Sequence, residues 1–105
     1  MSAGRWCTLS LAEQLGNIGS EVGRAIMRQQ EGDRERFQSA FDRALELLDF
    51  TCADPRWLHL PRLQELLRTR EVLCDYFYGD NQHISTPESL EKYFYHFAFA
   101  ARKDR

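Results

Sequence analysis

At 105 residues, with 43% hydrophobic and 12% aromatic side chains, the chain has the length of one domain and enough apolar surface for a single core without disulfide or metal staples. Seven Phe, four Tyr, two Trp and a net charge of -2 exclude a disordered tail, and 14 basic against 16 acidic residues leave no global field to hold nucleic acid or an anionic membrane. Three cysteines, Cys7, Cys52 and Cys74, have no paired spacing, so neither a disulfide framework nor a Cys-x-x-Cys motif is present and a cytoplasmic setting is expected.

No signal-peptide pattern precedes Ser10, and no apolar run is long enough to span a bilayer. Ser10-Leu-Ala-Glu13 reads as a capping box. After it Leu11, Leu15, Ile18, Val22 and Ala25 alternate steps of four and three, the stripe of a helix over 11–30. Gly32-Asp33 breaks the pattern, and Asp33 caps a second helix over 34–52 with Phe37, Phe41, Ala44, Leu48 and Thr51 on its apolar side. Asp54-Pro55 ends it and starts a single turn holding Trp57. Leu60-Pro61 opens a third helix over 61–78, with Pro61 at its first position and Gly79 after its end. Thr86-Pro87-Glu88 then supplies a cap, a first-position Pro and an acid for a fourth helix over 87–102, whose stripe is Leu90, Phe94, Phe97 and Ala101. With no strand signal and short polar connections, the expected fold is all-α, a single domain packed as an antiparallel four-helix bundle.

The segment Gly32-Asp-Arg-Glu-Arg-Phe-Gln-Ser-Ala-Phe-Asp-Arg-Ala-Leu-Glu-Leu47 resembles the second helix of a tetratricopeptide repeat, with Phe41 and Ala44 at that family's aromatic and small packing positions. The first helix lacks the family's Trp, Leu-Gly and Tyr positions. More of the chain is similar to small bacterial all-helical proteins to which no activity is assigned. That likeness runs through Ser10-Leu-Ala-Glu-Gln-Leu-Gly-Asn-Ile-Gly-Ser20, Ala44-Leu-Glu-Leu-Leu-Asp49 and Arg70-Glu-Val-Leu-Cys-Asp-Tyr-Phe77. It implies a bacterial helical domain and no particular chemistry.

Catalytic signatures are missing. There is no Gly-x-Ser-x-Gly turn for a nucleophile and no phosphate loop. His59, His83 and His96 each lack the Glu three residues earlier that a helical carboxylate metal site uses, so no cofactor or metal is expected. The remaining signals concern contacts. Ala12, Gly16, Gly19, Ser20 and Gly23 form a small-residue strip on the first helix, where each Gly costs about 1 kcal/mol relative to Ala. Either another helix of the chain or a second subunit must approach there. Arg70 falls within about 20° of the middle of the face formed by Leu63, Leu66, Leu67, Leu73, Cys74 and Phe77, and Glu21 is its expected buried partner.

The fourth helix carries Tyr93, Phe94, Tyr95, Phe97 and Phe99, more aromatic surface than one bundle face can bury. Tyr95 and Phe99 point away from the stripe. Either the N-terminal segment with Trp6 and Leu9 covers them or a second chain does. The leading expectation is therefore a non-enzymatic protein-interaction module that self-associates as a two-fold dimer, each fourth helix meeting its own copy. The alternative is a nucleic-acid-associated protein using Arg56, Trp57, Arg62 and Arg68 around the start of the third helix.

Overall fold

A computed structural model describes residues 3–58 and 61–103; His59 and Leu60, named above, lie outside the described residues, as do the side chains of Ala3, Ala101 and Lys103. Among the described residues the fold is all helical and contains no strand. The elements are α1 (Ala3–Trp6), α2 (Leu11–Glu31), α3 (Arg34–Cys52), a short 3-10 turn at Pro55–Trp57, α4 (Arg62–Tyr78) and α5 (Pro87–Lys103).

Local chemistry sets the boundaries. Glu13 N donates to Ser10 Oγ at 3.1 Å while Ser10 N donates to Glu13 Oε1 at 2.9 Å, the reciprocal box that starts α2. Gly32 closes the same helix with a φ of 75°, a left-handed turn that glycine adopts without a steric cost. Asp33 accepts from Arg36 N at 3.1 Å to begin α3. Pro61 stands one place earlier than expected: it is the cap of α4, and its carbonyl accepts from Glu65 N at 3.1 Å. At the other end of α4 glycine is needed for space, because a Cβ on Gly79 would lie 3.0 Å from the Asp75 backbone. Thr86 and Ser89 cap α5 reciprocally, each backbone amide donating to the other's hydroxyl.

The four long helices pack against each other. α2 lies between α3 and α5, burying Leu15, Ile18, Val22 and Ala25 against Phe41, Ala44 and Leu48 on one side and Leu90, Phe94 and Phe97 on the other. α4 packs chiefly on α3, where the rings of Phe41 and Phe77 meet edge to face at 5.3 Å. Tyr93 links α5 to α4: its hydroxyl donates to Glu65 Oε1 at 2.8 Å and lies 2.7 Å from Thr69 Oγ1. Burial and the Glu65 carboxylate push that phenol up to about 12.

The buried face of α4 is rotated from its expected place. Leu66, Thr69, Val72, Leu73 and Phe77 are buried, whereas Leu67 is exposed and Leu63 and Cys74 are only half-buried. The middle of the buried face therefore lies about 70° from Arg70. Arg70 is a rim residue with 42% of its side chain exposed, and its Nε donates to Asp49 Oδ1 of α3 at 2.9 Å. The expected buried Arg70–Glu21 pair does not form, because α4 sits on α3 and Glu21 is held by Arg24 of its own helix.

Candidate functional site

Once the core is assigned, a polar cluster and an open groove stand out among the described residues. The first is a buried clasp where the N-terminal segment, α2, α3 and the 3-10 turn converge. Trp6 is fully buried and its indole N–H donates to Thr51 Oγ1 at 2.8 Å. Gln14 Nε2 donates to Trp6 O at 2.9 Å and to Asp54 Oδ2 at 3.1 Å, and its carbonyl oxygen accepts from Trp57 Nε1 at 3.0 Å. Arg56 closes the clasp, donating from Nη2 to Asp54 Oδ2 at 2.7 Å and to Leu9 O at 2.6 Å, with its guanidinium 4.5 Å from the centre of the Trp57 ring.

Burial pushes the Asp54 carboxyl up, but hydrogen bonds from the Arg56 side chain and backbone and from Gln14 outweigh it, and the carboxyl ends at about 2. Burial and the adjacent Asp54 carboxylate push the Cys7 thiol up, which keeps it in the unreactive neutral form. Among the described residues no buried side-chain polar atom of the fold lacks a hydrogen-bond partner. A cluster so completely satisfied holds the elements that meet in it together. It also engages the proposed nucleic-acid patch: Arg56 is neutralised by Asp54, Trp57 is half-buried with its N–H bound, and Arg62 lies 5.9 Å from the Phe97 ring centre. Of those four residues Arg68 is exposed, and its charge acts on the Tyr93 hydroxyl.

The second feature is a groove of about 630 Å³ between α2 and α5. The α2 wall carries Gly16, Gly19, Gly23 and Met27; the α5 wall carries Glu91, Phe94, Tyr95 and Arg102. The glycine strip and the outward Tyr95, more than seventy positions apart, thus open onto one surface. Among the described residues, only Gly19 of the three glycines is explained by packing, since a Cβ there would lie 3.3 Å from Phe94 Cβ. At Gly16 and Gly23 an added Cβ would meet nothing within 4 Å. Tyr95 is 67% and Phe99 46% exposed, and their rings stack at 6.5 Å with an interplanar angle of 15°. Trp6 does not cover them, because it is buried at the clasp and bonded to Thr51 of α3.

Sequence reasoning missed the clasp. One signal was available: Gln14 stands three residues after Leu11 and four before Ile18, so a polar amide occupies the apolar stripe of α2 and must find partners. Among the described residues no group of three or more His, Cys, Asp or Glu could hold a metal ion, and no helix is long and apolar enough to cross a membrane. No family model, curated protein or solved structure matches the chain.

Proposed function

We propose that this chain is a non-enzymatic protein-interaction module, an antiparallel four-helix bundle that pairs with a second copy of itself through α5 and the adjoining groove. The observation that carries this reading is that the exposed Tyr95 lines one groove with Gly16 and Gly23, at which an added Cβ would meet no described residue, while Phe99 stacks on Tyr95. Aromatic side chains give interfaces large contact area at low entropic cost, and glycines let a second backbone come close. The antiparallel arrangement is supported by residue pairings that run in opposite directions along neighbouring helices. Phe41 meets Phe77 while Asp49 meets Arg70, and Glu65 meets Tyr93 while Arg62 meets Phe97. The unpaired cysteine spacing and the likeness to bacterial helical proteins support a bacterial cytoplasmic setting.

Sedimentation velocity at micromolar concentration tests the proposal. Wild type is expected to sediment as a dimer, and the variant carrying Tyr95→Glu with Phe99→Glu as a monomer of unchanged helicity. A monomeric wild type rejects self-association.

A further inference from the structure

Resting on the self-association reading, we propose that the second copy docks in one register. Its α5 lies antiparallel to the first α5 along the mouth of the groove, about a two-fold axis passing near residues 96 and 97. Each Glu91 then faces the partner's Arg102.

The charges on the groove rim select this arrangement. Glu91 and Arg102 both line the groove and are both exposed. Their spacing is three helical turns to within about 20°, so they stand on one face about 16 Å apart, with Tyr95 and Ala98 between them. An acid at one end of an apolar strip and a base at the other make the strip self-complementary only when it is reversed. Parallel pairing would set Glu91 on Glu91 and Arg102 on Arg102, whereas antiparallel pairing forms two opposite-charge pairs.

The same register sets the large Tyr95 of each copy opposite the small Ala98 of the other, a projection against a gap. The incoming helix also needs room beside α5, and Gly16 and Gly23 leave it. At these two positions an added Cβ would meet no described residue within 4 Å, so an incoming side chain can approach the α2 backbone there.

Charge reversal tests the register. Glu91→Arg alone and Arg102→Glu alone should each weaken dimerisation about tenfold or more, since each replaces both attractive pairs with repulsive ones. Mixing the two variants should restore a dimer containing one chain of each, because both cross-subunit pairs are then again of opposite sign. The chain carrying both substitutions should restore the homodimer in the same way. Native mass spectrometry reads the composition, sedimentation the affinity, and circular dichroism confirms that these exposed substitutions leave the helices intact. Single variants that dimerise like wild type, or a mixture that stays monomeric, overturn the register. In either case loss of the dimer on Tyr95→Glu with Phe99→Glu would still uphold self-association, whereas a monomeric wild type would overturn both.

Discussion

Asp54→Asn removes one charge from the middle of the clasp while keeping the side chain's size and one oxygen to cap the Pro55–Trp57 turn. The carboxyl lies at about 2 against its ordinary 3.8. At ~1.36 kcal/mol per pH unit, the ionised form contributes about 2.5 kcal/mol to folding at neutral pH. A carboxyl lowered on folding stabilises the fold above its unfolded value and loses that contribution as pH falls through its folded value. Urea unfolding followed by tryptophan fluorescence is a direct assay, because Trp6 and Trp57 both bond within the clasp. At pH 7 the Asn variant should be less stable by about 2 kcal/mol, and the gap between the two proteins should shrink to about 0.4 kcal/mol at pH 2. Equal stabilities at pH 7, or a gap that does not change between pH 4 and pH 2, would refute the reasoning. Asp75, whose carboxyl is lowered by the backbone amides of His83 and Gln82, is common to both proteins and cancels in the difference.

Two further predictions concern single side chains. In the background of Tyr95→Glu with Phe99→Glu, where association does not interfere, Gly16→Ala and Gly23→Ala should each raise stability by about 0.5–1 kcal/mol in thermal melts. Gly19→Ala should gain less, because its Cβ presses on Phe94; equal gains at all three sites would contradict the packing described. Arg70→Ala should cost about 0.5 kcal/mol or less in urea unfolding, since both Arg70 and Asp49 are solvent-exposed. A loss near 3 kcal/mol would restore the buried-pair expectation.

Features governed by a few neighbouring residues were legible in the sequence. The Ser10 box, the Asp33 and Asp54 caps and the Thr86-Pro87 start all depend on hydrogen bonds spanning two or three positions, and each is present. The rotation of α4 was not legible. Its apolar residues cover more than half the helix circumference, so periodicity defines a broad arc and not its centre. Counting leucines pulled the centre towards Leu67, whereas Thr69 can be buried there because its hydroxyl bonds Glu65 O and Tyr93. Once the centre moves, Arg70 reaches the rim and its partner is decided by whichever helix lies beside it. Arg70 and Asp49 come from different helices, and no local spacing encodes their meeting.

Trp6 connects the clasp to the groove. The sequence offered the N-terminal segment with Trp6 as one cover for the outer aromatics of α5 and a second chain as the other. A buried indole N–H needs an acceptor, and Thr51 supplies one on α3, with Gln14 holding the Trp6 carbonyl from α2. α5 offers Tyr95 and Phe99 as ring surfaces, which could cover the indole's apolar body but would satisfy its N–H poorly. Hydrogen bonding therefore draws the N-terminal segment to the clasp, leaving the apolar face of α5 exposed. Trp6 is thus fixed on α3 and α2 by its hydrogen bonds and does not cover the Tyr95–Phe99 stack, which is why the apolar face of α5 calls for another partner.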